Sequence, residues 1–145
     1  SESETVPEPR DLAEARQIAI KRQLEPVIVA ANEQAVDEVI GILLDNALKY
    51  SPEHTEATVR TYQKDGHGFL EVRDQGIGIK ASELPHIFDR FYRADSSRTK
   101  AHAVGHGLGL SIAQKIAEGL GAQLSVSSRP GKGSVFTLKL NLAKD

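Results

Sequence analysis

The chain has 145 residues, 39% of them hydrophobic and 26% charged, with a formal net charge of −2 and a pI near 6.2. That length and balance fit one domain with a real core, and they argue against a broad basic surface for nucleic acid. Cysteine and methionine are both absent. The first absence excludes disulfide frameworks and thiolate metal sites, and the second marks Ser1 as something other than a native start, so the sequence reads as an excised domain. No apolar run approaches the roughly 18 residues that a membrane crossing needs, nothing reads as a signal peptide, and no internal repeat is visible.

Residues 1–10 are polar with Pro7 and Pro9, and read as a flexible leader or linker remnant. From Asp11 to Leu24 the spacing of Leu12, Ala15, Ala19 and Leu24 predicts a helix, and the β-branched run Glu25–Ala31 predicts a strand. Asn32 is a helix N-cap candidate, opening a long helix to about Tyr50. Its core stripe is expected to be Val36, Ile40, Leu43, Leu44 and Ala47. At about 100° per residue, Val39, Ile42, Asn46 and Tyr50 fall on one flank, with Lys49 just beyond. Gln34, Glu38, Gly41 and Asp45 are expected to face water. Asn46 thus sits where a core meets an edge. Its amide can hold a metal ion or polar ligand there, or simply bond backbone.

Ser51-Pro52 ends that helix. A strand over Glu56–Gln63, a hairpin turn over Lys64–Gly68 and a second strand up to Arg73 follow. Alternation puts Leu70, Val72 and Asp74 on one face, the apolar one. A carboxylate there is costly unless it is hydrogen-bonded. With Gly76 and Gly78 directly after it, Asp74 reads either as the acceptor in a pocket or as a turn cap bonding its own backbone.

The stretch Ile79–His106 is long and weakly structured for a compact domain, as lids and binding loops are. Its charges include Arg90, Arg93, Arg98 and Lys100, and its apolar anchors are Ile87, Phe88, Phe91 and Tyr92. Short helical pieces are expected near Ala81–Leu84 and Pro85–Phe88. Gly105, Gly107 and Gly109 then run into an amphipathic helix to about Glu118, an arrangement suited to an anion. Two strands, Gln123–Ser128 and Ser134–Leu142, are joined by a hairpin over Arg129–Gly133, and alternation turns Ser134 inward with Phe136, Leu138 and Leu140.

Neither glycine cluster has the spacing of a dinucleotide fingerprint, and Gly131-Lys132-Gly133 lacks the Ser or Thr of a P-loop. His102 and His106 lie in glycine-rich sequence and are not read as metal ligands. His54, His67 and His86 read as surface or turn residues, and no Ser-His-Asp or Cys-His set can be assembled.

In order along the chain stand LLDNALKYSP (Leu43–Pro52), DQGIGI (Asp74–Ile79), IFDRFYRAD (Ile87–Asp95), GHGLGLSIA (from Gly105) and GKGSVFTLKL (Gly131–Leu140). This series resembles the N, G1, F, G2 and G3 boxes of the catalytic, ATP-binding domain of bacterial sensor histidine kinases, over about residues 25–142. The resemblance implies a Bergerat-type α/β two-layer sandwich. Its mixed, largely antiparallel sheet would be covered on one face by three helices, over residues 11–145, with an ATP lid at about 79–106. It implies that Asp74 accepts the adenine amino group, and that Ser134 keeps the hydroxyl where the family usually has Thr. Tyr50 and Ile79 would sandwich the base, beside the Gly76–Gly78 turn. Asn46 would coordinate Mg²⁺, Lys49 would lie near the phosphates, and Gly105, His106, Gly107, Leu108 and Gly109 would hold the phosphate chain. Arg93 would reach the γ-phosphate from the lid, which Phe88 and Phe91 would anchor.

The resemblance further implies two partners, a dimerisation domain carrying the phosphoacceptor histidine and a downstream response regulator. The domain itself would be a monomer without nucleic-acid binding, on the cytoplasmic side of a membrane-anchored bacterial sensor. The 11–24 segment contains no His, so the acceptor is expected outside this sequence. One position departs from the pattern. Ile42 stands where the family often has a second Asn, and where gyrase, Hsp90 and MutL relatives and serine-kinase anti-sigma factors keep a water-activating Glu. Without that carboxylate, hydrolysis lacks its general base. An ATP-hydrolysing machine of the same superfold and a nucleotide-sensing scaffold are the competing readings.

Overall fold

In the computed structural model, residues 13–14, 17–90 and 109–143 are described. In chain order the elements are β1 (Ala19–Leu24), α1 (Glu33–Tyr50), β2 (Glu56–Lys64), β3 (His67–Asp74), a 3₁₀ turn (Leu84–His86), α2 (Gly109–Gly119), β4 (Gln123–Ser128) and β5 (Ser134–Asn141). The strands form one sheet in the order β1-β2-β3-β5-β4. Only β1 and β2 run parallel, and the other three pairings are antiparallel. Two α-helices, rather than the three expected, lie over the sheet among the described residues: α1 packs on β2 and β3, and α2 packs on α1 and β4. No helix among these residues is long and apolar enough to cross a membrane.

Local chemistry accounts for most boundaries. Asn32 is extended and accepts the Ala35 N–H at 2.9 Å, closing the start of α1. Ser51 ends it, its hydroxyl donating to the Ala47 carbonyl at 2.7 Å. Asp65 and Gly66 both have positive φ, the two-residue turn that suits the twist of a β2–β3 hairpin. Pro85 opens the 3₁₀ turn.

The N-terminal expectations fail in two places. Ala19–Leu24 is a strand and not the end of a helix. Gln17 has φ of 57°, which stops the helical turn at Ala13 and Glu14, and β1 then pairs with β2 from Ala19↔Glu56 to Leu24↔Thr61. A ladder to a distant strand outweighs a weak helical period. Glu25–Ala31 in turn is no strand. Pro26 has no N–H to give a ladder, and Val29 makes a single bridge to Leu142. Val27 and Val29 instead lie over Gly68, where a Cβ would come within 2.9 and 2.8 Å of their methyls. In α1 the fully buried positions are Val39, Leu43, Ala47 and Leu48, while Val36, Ile40 and Leu44 are only partly covered. Val39 comes from the expected flank and Leu48 from the other side of Leu43 and Ala47, so the buried face is broader than the expected stripe.

The registers line up rows of side chains across the helix-covered face. Val59, Val72, Phe136 and Val126 form one row, and Thr61, Leu70, Leu138 and Leu124 the next. Val72, Phe136 and Leu138 are essentially inaccessible. At one end this apolar face stops in a polar row, Asp74–Ser134–Ser128. On the opposite face Glu71 accepts the Tyr62 phenol at 2.6 Å with Arg60 and Arg73 beside it, and Tyr62 stacks on Phe69 with centroids 5.0 Å apart.

Candidate nucleotide-binding site

The polar row is where β3 ends. Asp74 is 6% exposed, and its Oδ1 accepts the Gly76 N–H at 2.8 Å and the Ser134 N–H at 3.2 Å. Of the two sequence alternatives, the turn cap is realised: the carboxylate caps its own turn through Oδ1. Burial raises the Asp74 pKa above its ordinary 3.8, against the lowering effect of the two N–H bonds. Ser134 is equally buried, and its Oγ lies 2.8 Å from Ser128 Oγ.

The turn after Asp74 is clamped on two sides. A Cβ on Gly76 would come 2.5 Å from the Tyr50 carbonyl oxygen, so the turn lies directly on the C-terminal end of α1. Gly78 has φ of 76°, and a Cβ there would overlap the Arg129 carbonyl. The β4–β5 hairpin holds the same turn by backbone, with Gly131 N–H donating to the Ile77 carbonyl at 2.7 Å. Ile79 N–H donates to Ser128 Oγ at 2.9 Å. Further from the row, Gln75 Oε1 accepts the Glu56 N–H at 2.8 Å and ties the turn to β2. These contacts bring Tyr50, Asp74, Gly76, Gly78, Ile79 and Ser134 to one end of the sheet. Ser128 and Gln75 are the members that sequence reasoning missed. For Ser128 a signal existed: a five-residue hairpin over 129–133 makes it the cross-strand partner of Ser134.

Asn46 is half-buried on α1 and lies one turn from Ile42. Ile42 Cγ2 is 3.5 Å from the place a Gly109 Cβ would take, so this flank of α1 meets the N-terminus of α2. The N–H groups and dipole at a helix N-terminus favour an anion. Lys49 Nζ pairs with Asp45 Oδ2 at 2.9 Å one helical turn away, and Asp45 stays partly exposed on the side expected to face water. Among the described residues no cluster of three His, Cys, Asp or Glu side chains could cage a metal. One hard amide oxygen from Asn46 nevertheless suits Mg²⁺, which takes few protein ligands and completes its shell with phosphate oxygens and water.

Of the stretch expected to form a lid, residues 79–90 are described. Ile87 is buried, and Phe88 meets Phe136 edge-on with centroids 6.2 Å apart, so this part is anchored in the core as expected. Arg93, Phe91, Gly105, His106, Gly107 and Leu108 lie outside the described residues.

Residues 31–144 match the family described as histidine kinase-, DNA gyrase B-, and HSP90-like ATPase. The sensor histidine kinase YkoH of Bacillus subtilis is 44% identical over 126 residues, 87% of this chain and 27% of that protein. The signal transduction histidine-protein kinase ArlS of Staphylococcus epidermidis is 37% identical over 114 residues, 79% of this chain and 25% of its own length. The chain thus spans about a quarter of these relatives. Among solved structures, the mycobacterial sensor histidine kinase MprB superposes with a TM-score of 0.81 at 29% identity, covering 94% of this chain and 91% of that one. The chain belongs to the histidine kinase-, DNA gyrase B- and HSP90-like ATPase family.

Proposed function

We propose that this chain binds ATP with Mg²⁺ and passes the γ-phosphoryl group to a histidine on a separate helical domain, as the catalytic unit of a bacterial two-component sensor kinase. The observation that carries the binding half is the buried Asp74 carboxylate at the end of an otherwise apolar face, one oxygen tied by N–H donors. A desolvated acceptor of that kind suits a neutral donor such as the adenine 6-amino group. Tyr50 and Ile79 flank it, and Gly76 and Gly78 let the backbone approach. Asn46 would hold Mg²⁺, which supplies charge neutralisation on the β- and γ-phosphoryl oxygens. Lys49 and Arg93 would add positive charge, and Gly105, His106, Gly107, Leu108 and Gly109 would hold the phosphates. We take residues 11–145 as the nucleotide-binding unit, 1–10 as a leader and about 79–106 as the lid. The unit would work in the cytoplasm, with a response regulator as the later acceptor.

Ile42 favours transfer over hydrolysis. It faces the start of α2 with a hydrocarbon, so no carboxylate from that position can activate water. An imidazole needs no such base. Its nitrogen lone pair attacks the γ-phosphorus, the bond to the β–γ bridging oxygen breaks, and ADP leaves with that electron pair while the phosphoimidazole sheds its surplus proton to solvent. Positioning and charge stabilisation then carry the reaction. Two assays test this together: phosphate release by the chain alone, and labelled-phosphate transfer to the dimerisation domain of the same kinase. Slow release with ready transfer is expected, and vigorous hydrolysis without transfer would overturn the kinase reading in favour of an ATPase.

A further inference from the structure

We propose that Ser128 is a specificity-determining positioning residue, which orients the Ser134 hydroxyl as an acceptor so that the pocket takes 6-aminopurine and rejects 6-oxopurine nucleotides. The inference rests on the reading of Asp74 and Ser134 as the base-facing pair. Ser128 ends β4 and pairs with Ser134, which pairs with Asp74, so the three side chains lie in one row across three strands. Ser128 Oγ has three neighbours: Ile79 N at 2.9 Å, the Gly133 carbonyl at 2.9 Å and Ser134 Oγ at 2.8 Å. A hydroxyl has one proton and two lone pairs. The Ile79 N–H can only donate and the Gly133 carbonyl can only accept. The arrangement that satisfies every group sends the Ser128 proton to Gly133, and Ser134 must then donate its own proton to Ser128.

Ser134 Oγ therefore turns lone pairs, not a proton, toward the space beside Asp74. Together with Asp74, its cross-strand partner, it places two acceptor side chains side by side in the row, both residues buried. An exocyclic amino group brings two N–H donors to such a pair. An exocyclic oxygen brings only lone pairs and is repelled by the acceptor it faces, while the neighbouring N1–H of a 6-oxopurine can serve only one acceptor of the pair. Removing the Ser128 hydroxyl frees the Ser134 proton, which can then turn into the pocket and accommodate an oxygen. It also leaves the Ile79 N–H without its acceptor, which weakens binding of any purine.

The test is calorimetric binding of ATP and ITP, which share the triphosphate and differ in the 6-substituent and in the N1 proton that the 6-oxo base carries, to the wild-type chain and to Ser128→Thr and Ser128→Val, two variants nearly isosteric with each other. The wild type should prefer ATP strongly, Ser128→Thr should keep that preference, and Ser128→Val should narrow the ATP/ITP ratio at least fivefold. In a Ser134→Ala background, Ser128→Val should leave the ratio unchanged, because no proton remains to be directed. Equal loss for both nucleotides in Ser128→Val would overturn the proposal, since a merely structural serine acts that way. So would a Thr variant that discriminates no better than Val. If Ser128→Val does not fold, Ser128→Ala gives the same comparison. Ser134→Ala is read in both backgrounds. Asp74→Asn separates the two levels: unchanged ATP affinity there would remove the base-facing reading itself, whereas a strong loss there with an unchanged ratio in the Ser128 variants would overturn only the role of Ser128.

Discussion

Asp74 Oδ1 accepts the Ser134 N–H at 3.2 Å across sixty residues of chain, and the same oxygen accepts the Gly76 N–H at 2.8 Å. Both donors are backbone, so an amide oxygen in place of the carboxylate can keep them. The first prediction follows. Asp74→Asn should lower ATP affinity by about two orders of magnitude, because an amide that keeps its oxygen on the turn presents NH₂ to the base amino group, a loss of about 3 kcal/mol. The melting temperature of the nucleotide-free protein should hold or rise at pH 7, since a desolvated charge has been removed. Calorimetry and thermal melts measure the two halves separately.

The second prediction concerns pH. The Asp74 pKa is raised above 3.8, chiefly by burial and against the bonds from Gly76 and Ser134. A carboxyl with a raised folded-state pKa contributes stability that is fully present below 3.8 and lost as pH rises through the folded value, so at neutral pH Asp74 burdens the empty fold. A base amino group favours the charged form. Saturation with nucleotide should therefore lower the Asp74 pKa, and binding at mildly acidic pH should release a proton. Carboxyl-carbon NMR titrations with and without ADP read this directly, and an apo value at or below 3.8 would contradict it.

The third prediction concerns Lys49, which Asp45 holds at 2.9 Å along one helix face. The pair is partly exposed, so its strength is modest, about 0.3–0.5 kcal/mol. Asp45→Asn should free the ammonium for phosphate and tighten ATP about twofold, while adenosine binding stays unchanged. Equal effects on ATP and adenosine would place Lys49 away from the phosphates.

A fourth prediction tests the clamp on the turn. Gly78 has φ of 76°, and a side chain would overlap the Arg129 carbonyl. Gly78→Ala should cost about 3 kcal/mol or more, combining left-handed strain with displacement of the hairpin. Urea unfolding of the variant against the wild type measures it. The neighbouring Gly131→Ala also sits at positive φ but meets nothing, and should cost only about 1 kcal/mol.

What could be read in the sequence was what local chemistry determines. The Asn32 cap, the Asp65-Gly66 hairpin and the 129–133 hairpin each depend on residues within a few positions, and each stands where the residue types put it. The inward set Leu70, Val72, Asp74 followed from strand alternation alone. What could not be read depended on distant partners. β1 exists because Ala19–Leu24 finds the far side of β2, and its own residues carry an ambiguous period. The 129–133 hairpin pairs Ser128 with Ser134, but its bond from the Ile79 N–H, forty-nine residues earlier, carries no local signal.

That same clasp bears on how the protein is made. Residues 74–79 leave the ribosome well before 128–134, yet the turn they form is held by the later segment through Gly131 and Ser128, and Asp74 waits for Ser134. Pairings so far apart in sequence form late, because the intervening chain must be closed before any contact rewards it. A nascent chain stopped short of β5 therefore lacks the Ser134 N–H that holds Asp74. A ligand that binds only the finished turn would stabilise only chains whose synthesis has passed β5.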